Sequence, residues 1–263
     1  MKNLVWIASY PKSGNTWLRS IICAALTGRV ILNELAPLTP GFNALSISAP
    51  NKKIPNTLAN HAKNWEKAQK IASVRTKDNA QLFKTHNAAI PINGCDFPST
   101  VFTSRAIYII RDPRDVAVSY ARHYQKDIND TVHAMLDEYN TTHDEKQIEF
   151  LSSWRMHVLS WQKKKFPVLF LRYEDLLKNT ELEIQKLLKF LGIVPKISIA
   201  EVARLTSFDK LKSQEKSLKF KEAVNNQPFF WQGKSGNGKY FLGANFKKIE
   251  IEFADIIKHY GYD

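Results

Sequence analysis

Residues 4–17 read LVWIASYPKSGNTW, and this stretch decides the fold. The apolar run 4–8 is typical of a buried strand, the residues that follow of a tight loop, and the residues from Thr16 onward of a helix. A loop between a strand and a helix N-terminus presents unpaired backbone N–H groups, which together with the helix dipole attract an anion. Lys12 adds a full positive charge. We therefore expect this loop to bind a phosphate-like group.

The loop differs from the common phosphate-binding loop Gly-x-x-x-x-Gly-Lys-Ser/Thr. Its lysine, Lys12, precedes the single glycine, Gly14, and the Lys-Ser/Thr pair is missing. A nucleotide or small-molecule kinase, the first alternative, would need that pair and a magnesium-binding carboxylate at a later strand end. The pattern favours a phosphate-like ligand other than the triphosphate of an ATPase.

Length and composition suit one α/β domain over residues 1–263, with 44% hydrophobic residues to fill a large core. No run reaches the roughly 18 apolar residues that span a bilayer, and Pro11 and Lys12 cut the first apolar patch well short of a signal peptide. Cys23 and Cys95 have neither a disulfide nor a metal spacing, and Cys23 is expected in the core. We predict a cytoplasmic protein without a metal or a membrane partner.

The formal net charge of +13 is unevenly distributed along the chain. Residues 210–248 hold nine lysines and two acidic residues, whereas residues 125–149 hold seven acidic residues and two lysines. An excess of basic residues is also compatible with a second alternative, a non-catalytic nucleotide- or RNA-binding protein. The basic segment contains no arginine and no nucleic-acid-binding motif accompanies it. We therefore favour a small polyanionic cosubstrate and predict no nucleic-acid partner.

Strands that alternate with helices predict a mostly parallel central sheet with helices on both faces. The expected strands are 4–9, 81–85, 106–110 and 168–172. The expected helices are 16–26, 61–74, 113–124, 147–163, 181–191, 199–205 and 246–260. Residues 36–60 are expected to form an irregular loop, and Asp112 to cap the helix that begins at Pro113.

Lys84-Thr85-His86 follows a short strand at its C-terminal end, where ligands collect in open α/β sheets. Near neutral pH an imidazole can take a proton from an attacking hydroxyl or amine. His86 is therefore the candidate general base, in preference to the other six histidines of the chain.

Arg111 ends the strand 106–110, and Ser119 follows eight residues later in the next helix. This spacing lets both side chains reach one anionic group, which arginine can bind with two parallel hydrogen bonds. The neighbouring Asp112, Arg114 and Asp115 are expected to act as helix caps and surface charges.

Four of the ten glycines fall within residues 233–243, interleaved with Lys234 and Lys239. The segment is either a flexible surface loop or, as we favour, a lysine-bearing loop whose open backbone folds over an anion.

Taken together, these segments resemble the sulfotransferases that use 3′-phosphoadenosine 5′-phosphosulfate (PAPS). Residues 10–17 look like their 5′-phosphosulfate loop, and residues 110–119 are similar to their 3′-phosphate motif. Residues 84–86 match the position of their catalytic base, 171–176 their Tyr-Glu-Asp strand end, and 206–208 their Thr-Ser-Phe adenine segment. The resemblance covers nearly the whole chain, in order.

The resemblance implies a metal-free, in-line transfer of the sulfuryl group from PAPS to a hydroxyl or nitrogen, which leaves adenosine 3′,5′-bisphosphate (PAP). By the same resemblance, His86 is the base, Lys12 neutralises the leaving phosphate, and Lys84 neutralises the transferred group. The residues implied to hold the cosubstrate are Lys12, Ser13, Gly14, Asn15, Thr16, Trp17, Arg111, Ser119, Tyr173, Thr206, Phe208, Gly233 and Lys234.

Three segments depart from the family pattern. Residues 231–239 align with Arg-Lys-Gly-x-x-Gly-Asp-Trp-Lys but lack its two leading basic residues, so Lys234 or Lys239 must supply that charge to the 3′-phosphate. The family's dimer motif is not recognisable in residues 239–250, which leaves the oligomeric state open. Asn15 stands where the family has a second threonine.

The acceptor site is expected to come from the two least regular segments, 36–60 and 125–149. The acidic side chains of 125–149 either form a solvated surface or favour a neutral or cationic acceptor over an anionic polysaccharide. The opening residues 6–12, WIASYPK, look like those of bacterial sulfotransferases that modify secondary metabolites. This likeness implies a small natural product as the acceptor.

Overall fold

The computed structural model describes residues 2–75, 80–142, 147–223 and 227–262. Its four strands form one sheet in the order β2-β1-β3-β4. They are β1 (Leu4–Ala8), β2 (Gln81–Thr85), β3 (Thr103–Ile110) and β4 (Val168–Arg172). β1 runs parallel to both of its neighbours, β2 and β3. The predicted parallel sheet with flanking helices is confirmed.

Helices make up most of the remaining regular structure. They are α1 (Asn15–Thr27), α2 (Leu35–Leu38), α3 (Ala44–Ser48), α4 (Leu58–Arg75), α5 (Pro113–Tyr124), α6 (Ile128–Leu136), α7 (Trp154–Gln162), α8 (Tyr173–Lys178), α9 (Thr180–Leu191), α10 (Ile199–Leu205), α11 (Phe208–Leu218), α12 (Gly238–Phe241), α13 (Asn245–Glu252) and α14 (Ala254–His259). A 3₁₀ turn covers Leu32–Glu34.

The chain divides into two compact units. Unit 1 comprises residues 1–10, 39–108 and 135–170, and unit 2 comprises 11–38, 109–134 and 171–263. The expectation of one domain over the whole chain stays a prediction.

The core of unit 1 is built around β1, whose five residues are all buried. Trp6 lies 5.0 Å from Phe42, 5.8 Å from Phe83 and 5.0 Å from Phe97, measured between ring centroids. Such aromatic clusters stabilise a core through large buried areas and favourable edge-to-face geometry. The register pairs Ala8 with Thr85, so the residues after β1 and β2 emerge at the same edge of the sheet.

Local residue types account for the ends of two helices in unit 2. The Asp112 side chain accepts the N–H of Arg114 at the start of α5, as predicted. α1 begins after Gly14 and ends at Gly28, and both glycines have positive φ angles, 110° and 78°. Left-handed backbone of this kind costs glycine little. The expected burial of Cys23 on α1 is also confirmed.

Three expectations about the elements are wrong. The helix expected from residue 147 begins only at Trp154. The preceding segment is not helical because Phe150 pairs with residues 87 and 88. Ala88 N–H donates to the Phe150 carbonyl, and Phe150 N–H donates to Asn87 Oδ1. The helix expected over 246–260 breaks at Phe253 into α13 and α14. Residues 36–60 hold short helices rather than a loop throughout.

Residues 125–149 contain α6, which was not expected. The Asp127 side chain accepts the N–H groups of Asn129 and Asp130 at its start. Val132 and Met135 lie buried on its inner face. Among the described residues, no single helix is long and apolar enough to cross a membrane; α1 with the helical turns of 32–38 passes only as a pair, bent by 84°.

Candidate functional site

The expected base, His86, is half-buried just after β2 in unit 1. Its Nδ1 lies 2.8 Å from the Ser9 carbonyl oxygen and 3.2 Å from Ser9 Oγ. A carbonyl oxygen only accepts, so Nδ1 carries the hydrogen and donates it. In the neutral imidazole the basic lone pair then resides on Nε2.

Glu149 fixes the backbone that carries His86. Its Oε1 accepts the His86 N–H at 2.6 Å and the Thr85 hydroxyl at 3.1 Å. Glu149 was counted in the sequence only as one acid of the segment 125–149. It is buried and holds the strand end instead.

A second buried histidine, His157 on α7, also contacts the His86 backbone. His157 Nε2 lies 3.0 Å from the His86 carbonyl oxygen, and Nδ1 lies 2.7 Å from the Tyr108 hydroxyl. Burial lowers the pKa of His157 to about 4, although the bond to His86 opposes this shift. His157 is therefore neutral near pH 7. No local pattern in the sequence indicates its contact with residue 86.

Lys84, expected to neutralise the transferred group, is half-buried on β2. Its backbone N–H donates to the Pro40 carbonyl and its carbonyl accepts the Phe42 N–H, at 2.8 and 2.9 Å. These bonds secure the strand edge, while the predicted role of the ammonium stays a prediction.

The first residues of unit 2 form the expected loop before α1. Lys12 adopts a left-handed conformation with φ 68°, and its ammonium lies 3.7 Å from the centroid of the Phe229 ring. A Cβ at Gly14 would lie 2.8 Å from Tyr173 Cδ2 and 2.9 Å from Ile109 Cδ1. Only glycine fits there.

Two buried donors, one in this loop and one in the first turn of α1, have no hydrogen-bond partner among the described residues. They are Ser13 Oγ and Trp17 Nε1. Buried polar groups are rarely left unsatisfied, so such donors indicate a place for a ligand with acceptor oxygens or nitrogens. Asn15 is buried next to them.

Arg111 connects several parts of unit 2. Its guanidinium donates to the Lys12 carbonyl at 3.2 Å and to the Lys234 carbonyl at 3.1 Å. It also lies 4.4 Å from the Tyr173 ring centroid and 3.9 Å from the Asp115 carboxylate. The structure thus brings Arg111 together with the first loop and with residue 234.

Trp17 and Tyr173 pack edge to face, with ring centroids 5.5 Å apart. Burial raises the pKa of the Tyr173 hydroxyl, and of the Glu174 carboxyl beside it. Glu174 accepts the Asp112 N–H at 3.1 Å, which joins the start of α8 to the start of α5. Ser119 lies half-buried in the middle of α5.

The segment expected to contact adenine, residues 206–208, joins the end of α10 to the start of α11. Phe208 packs so closely on Gly233 that a Cβ there would collide with its ring. Thr206 is buried and its hydroxyl donates to the Val202 carbonyl at 2.8 Å, which caps α10. Its predicted nucleoside contact stays a prediction.

Asp115 contradicts the expectation of a surface charge. It is 1% exposed, and its two oxygens accept the N–H groups of Gly236 and Gly238 at 2.8 and 2.9 Å. The glycine-rich segment is therefore tied to α5 rather than free. The side chains of Lys234 and Lys239 are both exposed.

Sequence reasoning also missed Glu222. Its carboxylate accepts from the Thr16 hydroxyl at 2.9 Å and pairs with the Arg19 guanidinium at 2.5 Å. No spacing in the sequence links residue 222 to the first loop.

Two carboxylates of the segment 125–149, those of Asp127 and Asp137, accept backbone N–H groups close to them in the chain. Asp137 accepts the Tyr139 N–H at 2.8 Å, much as Asp127 caps α6. Asp144 and Glu145 lie outside the described residues. Nowhere in the described ranges do three or more His, Cys, Asp or Glu side chains gather as a possible metal site.

Known proteins resemble this chain along most of its length. A family model described as a sulfotransferase domain matches residues 2–250. Mouse sulfotransferase 1B1 is 30% identical over 218 residues, which cover 78% of this chain and 64% of that protein. Flavonol 3-sulfotransferase of Flaveria bidentis is 27% identical over 265 residues, covering 94% and 80%. Retinol dehydratase in complex with androsterone and PAP superposes with a TM-score of 0.66 at 23% identity, covering 98% and 82%.

Proposed function

This chain belongs to the sulfotransferase family, and on that premise we propose that it moves a sulfuryl group from PAPS to a hydroxyl or nitrogen of a small molecule. The relatives support the class of acceptor: one is named for a flavonol, and a structural neighbour is described in complex with androsterone. The chemistry needs no redox change, so positioning and charge stabilisation supply the rate enhancement.

The residues of unit 2 fit a nucleotide of this kind. Ser13 Oγ and Trp17 Nε1, donors with no partner in the part of the chain that the structure describes, suit phosphate oxygens or ring nitrogens. The Lys12 ammonium supplies positive charge. Trp17, Tyr173 and Phe208 offer aromatic surfaces to a base. We assign the 5′ end of PAPS to residues 12–17, with Asn15 and Thr16 among them.

We assign the 3′-phosphate to Arg111, Ser119 and a lysine of the glycine-rich segment. Arg111 already spans the carbonyls of Lys12 and Lys234, so one guanidinium holds both chain segments that would flank the nucleotide. Lys234 is favoured over Lys239 because its own backbone is bound by Arg111.

One observation supports His86 as the base: its Nδ1–H is committed to the Ser9 carbonyl, which places the basic lone pair on Nε2. In the proposed step the acceptor oxygen or nitrogen forms a bond to sulfur while its proton passes to Nε2. The bond from sulfur to the phosphate oxygen breaks, and its electron pair leaves with PAP. Lys12 stabilises the charge on the leaving phosphate and Lys84 the charge on the transferred group.

Two single variants, His86→Ala and Lys12→Ala, test the assignment of His86. Each is measured in a transfer assay with ³⁵S-labelled PAPS and a panel of small phenols, alcohols and amines. His86→Ala should lower turnover at least 100-fold while PAP binds within twofold of wild type, since general bases contribute 10²–10⁴-fold. Lys12→Ala should weaken PAP binding. Turnover above a tenth of wild type in His86→Ala would exclude the base role.

We also propose a neutral or cationic acceptor, supported by the acidic composition of residues 125–149. Replacing Asp127, Asp130, Asp137 and Glu138 with their amides should raise the acceptor KM without changing PAP affinity. An unchanged KM would refute a role of these carboxylates in acceptor binding. We propose that the protein works in the cytoplasm.

A further inference from the structure

We propose that His157 is a positioning residue for His86, and that Tyr108 orients His157 for this task. The inference rests on the proposed role of His86 as the base. It assigns a function to a buried histidine that the mechanism itself does not use.

The three residues form one chain of hydrogen bonds inside unit 1. The His86 carbonyl can only accept, so His157 Nε2 carries the hydrogen and donates it over 3.0 Å. His157 Nδ1 is then the acceptor, and the Tyr108 hydroxyl donates to it over 2.7 Å. Each donor and acceptor has a single consistent assignment, and the tautomer of His157 is fixed by its two partners.

This chain of bonds holds the backbone of His86, in addition to the contact that its ring makes. The ring is fixed by its Nδ1–H bond to the Ser9 carbonyl, and the backbone N–H by Glu149. The backbone carbonyl is held by His157. With all three fixed, the direction in which Nε2 points is determined by rigid neighbours.

His157 suits this role because it stays neutral in the folded protein. It is 0% exposed, and burial lowers its pKa to about 4. It sits on α7, on the same face as Ser160 and Trp161, which bind the next residues of the segment. Ser160 Oγ accepts the Ala89 N–H at 2.9 Å, and Trp161 Nε1 donates to the Asn87 carbonyl at 3.1 Å.

Trp161 provides a matched control, because it donates to the neighbouring carbonyl from the same helix. The test compares His157→Phe, His157→Gln and Trp161→Phe at a temperature where all are folded. Glutamine can keep a donor at the position of Nε2, whereas phenylalanine fills the space without one. We expect His157→Phe to lower kcat at least 30-fold, because misplacement by about 1 Å can cost 10²-fold.

The other expectations separate positioning from general loosening. His157→Gln should stay within fivefold of wild-type kcat, Trp161→Phe within threefold, and PAP should bind all three variants within twofold. In ¹⁵N spectra of labelled histidine, wild-type His86 should show a protonated Nδ1 and an unprotonated Nε2. His157→Phe should show a mixture of the two tautomers.

Two results would overturn the inference. One is an unchanged kcat in His157→Phe, and the other is an equal loss in Trp161→Phe, which would make the effect a general loosening of α7. If His86→Ala remains active, the proposed base fails and this inference falls with it. If His86→Ala is inactive and His157→Phe is fully active, only the positioning role is refuted.

Discussion

Replacing Gly14 with alanine tests the tight packing of the loop before α1 against Tyr173. The new Cβ would lie 2.8 Å from Tyr173 Cδ2 and 2.9 Å from Ile109 Cδ1, both well inside van der Waals contact. The Tyr173 ring cannot easily retreat, because Arg111 lies 4.4 Å from its centroid and Trp17 5.5 Å. The substitution therefore strains several proposed nucleotide contacts at once.

The expected loss of stability has two parts. A non-glycine residue at φ 110° costs about 1–2 kcal/mol, by analogy with left-handed backbone. Overpacking of a filled site typically costs a further 1–3 kcal/mol. Gly14→Ala should thus lower the free energy of unfolding by about 2–5 kcal/mol in urea denaturation.

Gly192→Ala separates the two parts. Gly192 ends α9 with φ 70°, and an added Cβ would meet nothing within 4 Å. It should show the backbone cost alone, about 1–2 kcal/mol. PAP affinity, measured by titration calorimetry, should fall at least tenfold in Gly14→Ala and stay within twofold in Gly192→Ala. Equal destabilisation by both variants, with PAP affinity intact, would refute the argument from packing.

Three further predictions concern other residues. Lys234→Ala should weaken PAP binding more than binding of adenosine 5′-monophosphate, because only PAP has a 3′-phosphate. Lys239→Ala should change the binding of both nucleotides little. If Lys239→Ala had the larger effect on PAP, the 3′-phosphate contact would belong to Lys239. Burial lowers the pKa of His157 from 6.5 to about 4, so the unfolded chain binds the extra proton first as the pH falls through 6.5. The wild type should therefore lose up to about 1.4 kcal/mol of stability per pH unit toward pH 4, and His157→Gln should lose less. Equal slopes of stability against pH in acid denaturation would contradict this. Burial raises the pKa of the Cys23 thiol, whereas Cys95 is half-buried. A disulfide reagent should therefore modify Cys95 in the native protein and Cys23 only on unfolding. Rapid loss of both thiols in the native protein would refute this.

Elements with strong local signals could be predicted from the sequence. The bounds of β2, β4, α5 and α10 agree with the structure. The signals that predict these elements each extend over only a few residues: a Pro at the first helical position, an Asp cap and a continuous apolar run. The first loop could be identified for the same reason, since strand, loop and helix follow one another directly.

Contacts between distant residues could not be predicted in this way. Residues 147–153 are not helical because Phe150 among them pairs with Asn87 and Ala88, about 60 positions earlier. Asp115 carries the same local signature whether it is exposed or buried, and only its contact with Gly236 and Gly238 decides. His157 and Glu149 were missed because their partner, His86, lies more than 60 residues away along the chain.

The carboxylate of Asp115 restricts the backbone motion expected of the glycine-rich segment. By composition these residues should have the most mobile backbone of the chain, since glycine restricts rotation least. Yet two of their amide hydrogens are held by a residue in the first turn of α5, with almost no solvent around it. Their exchange with water requires Asp115 to release them, so the amides of Gly236 and Gly238 report on a contact with a residue more than a hundred positions earlier in the chain.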